Sequence, residues 1–177
     1  MSRIRFTMML AAALVVPSAI SAQELPVDLN APGRRAAEVE RDATSMPLEV
    51  NGWIGLQPGW SVADLSAGTG YHSWIFSQWV GPEGHVWSQS SYRPDTLKAR
   101  IESGDLAAEN VHYVAQISEL PDGQFDLVFT DRNYHDFPPD RIPEILAAIQ
   151  QKLKPGGLFV VIYARAEEGR DTDGHRI

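Results

Sequence analysis

Six consecutive residues with polar or aromatic side chains follow a strongly apolar segment in the second half of the chain. They are Asp131, Arg132, Asn133, Tyr134, His135 and Asp136. An imidazole titrates near neutral pH, so His135 is a candidate general base, and Asp131 or Asp136 would orient it. Asn133 and Tyr134 would hold a substrate. Because ligands of open α/β sheets bind at the carboxyl ends of the strands, we predict a catalytic site here.

Two other interpretations of this cluster stay open at the level of the sequence. Asn133 and Asp136 are residue types that cap turns and helices, and His135 would then lie in a solvated loop. His135 with Asp131 and Asp136 also supplies the side chains of a metal site. Their spacing matches no metal motif, and His112 lies on a different predicted strand. We therefore assign no metal to the cluster.

A second candidate site lies in residues 62–70, where an apolar run passes through Asp64 into small residues and then into a helical pattern. A strand that ends in such a turn leaves backbone N–H groups and a helix N-terminus facing the open edge of the sheet. Gly68 and Gly70 have no Cβ and can adopt a positive φ, so a ligand can approach the backbone. The turn is predicted to be a ligand cradle.

These segments need a sheet to position them, and the hydrophobic pattern predicts one. The predicted strands are 62–65, 85–89, 110–114, 125–130 and 158–163, and the predicted helices are 34–46, 71–80, 94–103 and 140–153. Residues 48–56 contain too much glycine to assign, and residues 154–157 are predicted to form a turn. Since the crossovers are long enough for parallel pairing, we predict an α/β fold with a doubly wound, mostly parallel sheet.

Two of the predicted helices carry an apolar stripe toward the sheet. The stripe of helix 71–80 consists of Tyr71, Trp74, Ile75, Gln78 and Trp79, and that of helix 140–153 of Ile142, Ile145, Leu146, Ile149 and Leu153. This spacing is typical of core packing rather than of a surface on which bases stack. His72, at the start of the first of these helices, either faces the same site as the polar cluster or lies at the surface, and we favour the surface.

Composition excludes several classes of function. The 177 residues, 44% of them hydrophobic, suit one globular domain. The chain contains no cysteine, which rules out thiolate catalysis, disulfides and cysteine-based zinc sites. Arg3 and Arg5 are two of its 15 basic residues. The segment beyond residue 22 therefore contains 13 basic and 23 acidic residues, which gives it a net charge of −10. Such a chain repels nucleic acids and anionic membranes.

Residues 1–22 have the pattern of a secretory signal peptide: two arginines, an apolar run over 8–16 and small residues up to Ala22. The apolar run is much shorter than the ~20 residues that span a bilayer. We predict cleavage after Ala22 and a periplasmic or secreted protein without a membrane anchor. The predicted organisation continues with a lead-in and helix over 23–46, an α/β domain over 47–165 and a polar tail over 166–177.

The ligand of the glycine turn is suggested by the wider pattern. A dinucleotide site would need an acidic residue at the end of the second strand, where Gln89 stands. The chain instead resembles class I S-adenosylmethionine-dependent methyltransferases in three segments that occur in the family's order: 57–70, 124–129 and 153–161. The leader sequence together with residues 131–136 is similar to a group of predicted periplasmic methyltransferases of bacteria.

This resemblance implies a Rossmann-like methyltransferase fold and S-adenosylmethionine as cofactor. It places the methionine end against Asp64, Ser66, Gly68 and Gly70, the ribose at Gln89, and the methyl group beside Asp131. Ser66 replaces the first glycine of the family's motif, and Gln89 replaces its ribose-binding acid. The family's sheet has seven strands, whereas this pattern contains five, so we expect a sheet that lacks the last two.

Two functions follow from these observations. The first is methyl transfer from S-adenosylmethionine to a small molecule or another exported component, a direct displacement in which the protein aligns the two reactants. The alternative is an exported binding protein that keeps the methyltransferase-like fold without catalysis. Ser66 and Gln89 favour the alternative, whereas the intact turn after Asp64 and the polar cluster after the fourth strand favour the enzyme. The sequence predicts no oligomeric state.

Overall fold

The computed structural model describes residues 27–31, 34–92, 94–104, 106 and 109–163. The predicted signal peptide, the start of the lead-in and the polar tail lie outside these residues. The helices are α1 Ala36–Ser45, α2 Pro47–Ile54, α3 Tyr71–Val80, α4 Pro94–Glu102 and α5 Ile142–Lys152. The strands are β1 Ser61–Leu65, β2 His85–Gln89, β3 Val111–Val114, β4 Phe125–Asp131 and β5 Leu153–Ile162.

The five strands form one sheet in the order β3-β2-β1-β4-β5, and every neighbouring pair is parallel. This confirms the doubly wound α/β fold. Strand β2 lies on one side of β1 and β4 lies on the other, so the connections that leave β1 and β4 run in opposite directions along the sheet. Such a switch point opens a crevice at the carboxyl ends of the two strands.

Each face of the sheet is covered by an apolar core. On one face Val62 and Phe129 pack with Phe76 of α3, whose ring meets that of Phe129 edge-on at 5.0 Å between centroids. On the other face Phe125 packs with Ile149 of α5. The alternation along β1 and β4 sends consecutive side chains to opposite cores, as expected for strands buried on both faces.

Three local features differ from the sequence predictions. Helix α2 occupies residues left unassigned, since Gly55 ends it in the left-handed conformation rather than preventing it. Strand β5 begins at Leu153, so residues 154–157 belong to a strand with an irregular register against β4 and not to a turn. Leu146 is 37% exposed instead of facing the core. Within the described chain β5 is an edge strand, which leaves this side of the sheet partly uncovered.

Helix α3 has the predicted bounds but is buried on almost every side, including His72, Ser73 and Ser77. The surface position expected for His72 is therefore wrong. The reason is that its ring faces the sheet, where it packs on Phe129 of β4 and its Nε2 lies 2.9 Å from Asp131, and Arg41 of α1 approaches the same nitrogen. Within the residues that the structure describes, no helix is both long and apolar enough to span a membrane.

Candidate functional site

A cavity of about 1150 Å³ opens at the switch point between β1 and β4. Its walls come from the turn after β1, the segments that follow β2 and β4, His72 of α3, and α1. Among the sequence-predicted site residues, those that line it are Asp64, Ser66, Gly68, Asp131, Asn133 and Asp136. The structure thus brings together the two segments that the sequence singled out. Gly70, Gln89, Tyr134 and His135 are not in the lining.

The two glycines of the turn have different roles. Gly68 has a φ of +60°, and a Cβ built there would meet only the Ser66 carbonyl oxygen, at 4.0 Å, so the backbone faces open space. Gly70 has a φ of +90°, but its Cβ would lie 3.1 Å from side-chain carbons of Leu97 and Leu106. Gly68 therefore keeps room for a ligand, whereas Gly70 is required for packing against the core beside α4.

Gln89 holds the turn from behind. Its Oε1 accepts a hydrogen bond from the Ser66 N–H at 3.1 Å, and its Nε2 donates to the Ala115 carbonyl at 2.7 Å. The amide is thus occupied by the backbone of two loops, and Ser90 and Ser91, the residues directly after it, reach the cavity instead. Gln89 thus positions the backbone of Ser66, which has the rare φ of +54°.

Asp64 lies at the floor of the cavity and is 2% exposed. The Ser73 hydroxyl donates to its carboxylate at 2.7 Å, and the Ser88 hydroxyl donates to Ser73 at 2.7 Å. Burial raises the pKa of Asp64, while the neighbouring His72 and the bond from Ser73 act in the opposite direction. Among the described residues this carboxylate thus has a single side-chain donor, Ser73, and it retains capacity for a cationic or hydrogen-bonding ligand.

Asp131, at the end of β4, is surrounded by basic side chains. Its Oδ2 is 2.7 Å from Arg41 Nη2 and 2.9 Å from His72 Nε2, and its Oδ1 is 3.4 Å from Arg132 Nε. Burial favours a higher pKa for Asp131, but the hydrogen bonds from His72 and Arg41 and the charge of Arg132 outweigh it and lower the pKa to about 2. Asp131 is ionised at neutral pH and orients its partners.

His72 is the main site residue that the sequence analysis misplaced. Its ring packs against Phe76 and Phe129, and its Nε2 faces Asp131 and lies 3.4 Å from Arg41 Nη2. Nδ1 is buried without a partner among the described residues. We assign the proton to Nε2, because a buried lone pair costs less than a buried unpaired N–H. Helix α3 contains no charged residue in ten positions, a signal of all-round burial that covers His72 as well.

Arg41 reaches the cavity from α1, and α1 is attached to the domain largely through charged groups. Arg34 pairs with Asp42 at 2.5 Å, and the Tyr71 hydroxyl donates to the same carboxylate at 2.8 Å. The only side chain of α1 that is fully buried is the acidic Glu38. The sequence predicts this helix as part of the segment before the α/β domain. It gives the helix no role in the site.

Tyr134 and His135 lie in a short 3-10 helix after the cavity. His135 is 3.2 Å from the Tyr163 hydroxyl through Nδ1 and 3.3 Å from Asp136 through Nε2. Tyr134 packs on Phe137. Asp131 thus orients His72 rather than His135. Asn133 lines the cavity, but its Nδ2 donates to the carbonyls of Asp131, at 2.8 Å, and Ser66, at 3.3 Å, which ties the two loops together.

No group of three or more His, Cys, Asp or Glu side chains in the described part of the chain is arranged to hold a metal ion. Two of the three non-glycine residues with a positive φ there, Ser66 and Arg132, lie at the cavity. Strained backbone of this kind concentrates at ligand-binding sites, where the surrounding structure imposes it.

Comparison with known proteins decides the family. A model of the methyltransferase domain matches residues 62–157, which include β1, β4 and most of the cavity. The chain belongs to this family. Among curated relatives, an uncharacterized methyltransferase of Synechocystis is 28% identical over 117 residues, which are 66% of this chain and 51% of that protein. The demethylmenaquinone methyltransferase of Listeria welshimeri is 32% identical over 114 residues, 60% of this chain and 46% of that protein.

A solved structure shows the same fold. The S-adenosylmethionine-dependent methyltransferase of Aquifex aeolicus superposes with a TM-score of 0.60 over 71% of this chain and 68% of that one, at 21% sequence identity. This likeness confirms the methyltransferase-type α/β architecture. The chain spans about half the length of the curated relatives it matches. The remaining half of those relatives lies outside the matched region.

Proposed function

We propose that this protein transfers a methyl group from S-adenosylmethionine to an acceptor bound at the mouth of the cavity. The observation that carries the proposal is the position of the cavity in a chain of the methyltransferase domain family. It lies between the turn at Gly68 and the end of β4 at Asp131, at the switch point of the sheet. Ligands of doubly wound sheets bind at this point.

The cavity fits this cofactor in size and in charge. Its volume of about 1150 Å³ is at the upper end of small-molecule sites, and Gly68 leaves the backbone accessible. Asp64 and Glu40 add negative charge to the lining, which suits the ammonium and sulfonium groups. Ser91 after β2 offers a hydroxyl to the ribose, whereas the Ser90 hydroxyl donates to the Tyr92 carbonyl at 2.8 Å and Gln89 holds the turn.

Bound S-adenosylmethionine supplies an electrophilic methyl group, and the protein's residues align the acceptor with it. Asp131, with a pKa of about 2, stays ionised and is too weak a base to remove a proton at neutral pH. Nε2 of His72 is occupied by Asp131, and its Nδ1 is buried. Neither Asp131 nor His72 is therefore placed to act as the general base for the acceptor. A role for Tyr134 and His135 in holding that acceptor stays a prediction.

The signal-like residues 1–22 support a further part of the proposal. We place the mature protein in the periplasm or outside the cell, where it acts on a small molecule or another exported component. The alternative, an exported binding protein without catalysis, is supported by Ser66 and by Gln89. The Gln89 amide is bound to the backbone and leaves no charged group for the ribose.

Calorimetric titration of residues 23–177 with S-adenosylmethionine and with S-adenosylhomocysteine tests the cofactor. The chain offers a matched pair of variants, Gly68→Val and Gly123→Val. Both glycines have a φ near +60°, and a Cβ at either meets nothing closer than 4.0 Å, but only Gly68 lines the cavity. We expect micromolar binding that is lost in Gly68→Val and retained in Gly123→Val. A folded wild-type protein that binds neither compound would overturn the proposal.

Transfer of a tritiated methyl group from S-adenosylmethionine into an extract of exported small molecules then separates the two functions. Label found in an extract component supports the enzyme. Tight cofactor binding without any transfer of label supports the binding protein.

A further inference from the structure

Two histidines meet on the sheet at the end opposite to the cavity. His85 is the first residue of β2, and His112 is the second residue of the edge strand β3. The Nδ1 atom of His85 and the Nε2 atom of His112 are 3.3 Å apart. The ring of Trp87 packs on that of His112, with 4.9 Å between the centroids. Neither imidazole takes part in the proposed methyl transfer.

The two imidazole rings contact each other rather than a carboxylate. Within the described residues neither imidazole forms an ion pair with a carboxylate, and the contact between the two nitrogens is the hydrogen bond that the structure records for each of them. A neutral imidazole has one N–H and one lone pair, so the pair shares a single proton between the facing nitrogens. A cation with an affinity for imidazole can take the place of that proton.

The separation of the nitrogens matches a chelating site. Metal–imidazole bonds are about 2.0–2.1 Å long, so two nitrogens on one tetrahedral ion lie roughly 3.3 Å apart. On a square-planar ion they lie about 2.9 Å apart. The observed 3.3 Å falls at the tetrahedral value. The centroids are 5.5 Å apart and the planes differ by 37°, so the rings must turn to aim both lone pairs at a shared ion, and the exposure of His85 leaves room for that turn.

The environment keeps the pair ready to bind a cation. Burial and the neighbouring His85 both lower the pKa of His112. A ring that is uncharged at neutral pH presents a lone pair to a metal without first losing a proton to solvent. The proton now held between the rings moves to the other nitrogen of the same imidazole.

We propose that His85 and His112 form a two-imidazole site for a divalent transition-metal ion, with water in the remaining positions. Imidazole ligands favour Cu²⁺, Ni²⁺ and Zn²⁺, and the general affinity order puts Cu²⁺ first. The site is independent of methyl transfer. Because it joins the edge strand to its neighbour, the bound ion stabilises the folded protein in proportion to its occupancy.

The experiment titrates the full mature chain with CuSO₄, NiCl₂ and ZnCl₂ separately in a non-chelating buffer and follows heat and melting temperature. The variants are His85→Asn and His112→Asn, with His135→Asn as the matched control, since His135 contacts Tyr163 and Asp136 instead. We expect one ion per chain, a raised melting temperature, and roughly tenfold or greater weakening in each pair variant but not in the control.

Binding that His85→Asn and His112→Asn leave unchanged would overturn the site, because the ion would then lie elsewhere in the chain. Absence of binding to the folded wild-type protein would overturn it as well. His112 is half-buried, so its replacement could affect folding. His85 is exposed, and His85→Asn tests the same site without that risk.

Discussion

One buried ion pair joins α1 to α4 and to the turn at the cavity. Arg100 Nη1 lies 2.7 Å from Glu38 Oε1, and the two side chains are 2% and 9% exposed. The same guanidinium donates to the carbonyl of Thr69, in the turn that lines the cavity. Removing one member therefore leaves a buried charge without its partner, and removing Arg100 also leaves a carbonyl without its donor.

The magnitude follows from this burial. Breaking a buried pair by removing one partner costs about 3–5 kcal/mol, whereas replacing both by apolar residues of similar size is often neutral. We expect Arg100→Met and Glu38→Leu each to lower the free energy of unfolding by about 3 kcal/mol or more. We expect the double variant to lose less stability than the sum of the two single losses, with a coupling energy of about 2–3 kcal/mol.

Urea unfolding of the four proteins completes the double-mutant cycle. The exposed pair Arg141–Glu144 serves as a control, since its atoms are 3.3 Å apart and its side chains are 63% and 71% exposed. Removal of either member should cost at most about 0.5 kcal/mol. If Arg100→Met costs no more than Arg141→Met, or if the losses in the double variant simply add, the pair does not hold α1 in the way the structure indicates.

Three further predictions concern the cavity. Asp131→Asn should be about 1–2 kcal/mol less stable than wild type at pH 7. Because the pKa of Asp131 is lowered to about 2, this stability is present above pH ~4 and is lost toward pH 2. The urea midpoints of the two proteins should therefore converge in acid, and a constant difference would contradict the assignment. Gly70→Ala should destabilise by about 1–3 kcal/mol, seen as a lower melting temperature, since its Cβ meets Leu97 and Leu106 in a left-handed backbone. Gln89→Leu should weaken S-adenosylmethionine binding by roughly tenfold in calorimetry because the Ser66 N–H loses its acceptor, whereas unchanged affinity would remove Gln89 from the site.

The sheet could be predicted from the sequence because its strands are marked locally. Strand β4 is a continuous apolar run after a Pro-Asp-Gly turn, and such a run reads as a strand buried on both faces wherever it stands. Helix α2 is not predicted, because Gly52 and Gly55 make residues 48–56 too rich in glycine to assign, whereas in the structure Gly55 ends the helix. The start of β5 was missed because Pro155 and Gly156 are ordinary turn residues, and only pairing with β4 draws them into the strand.

The candidate site could be predicted only in part, for a related physical reason. Asp64, Gly68 and Asp131 each follow a recognisable strand, so the topology alone brings them together. Two partners of Asp131, His72 and Arg41, are 59 and 90 residues away along the chain, and no local pattern connects them to it. Pair contacts of this kind depend on how α1 docks, and a short helix with one buried residue carries no apolar pattern that fixes its place.

The docking of α1 and the binding of a cationic cofactor are therefore linked. Asp131 shares its charge with Arg41 of α1, and a cation that enters the cavity lies close to the same carboxylate. Arg100 holds α1 through Glu38 and the cavity turn through Thr69, so its loss should loosen both walls. By linkage, a ligand that binds only the docked form is weakened as that form becomes less populated. We expect Arg100→Met to weaken S-adenosylmethionine binding as well as stability, and Arg141→Met to change neither.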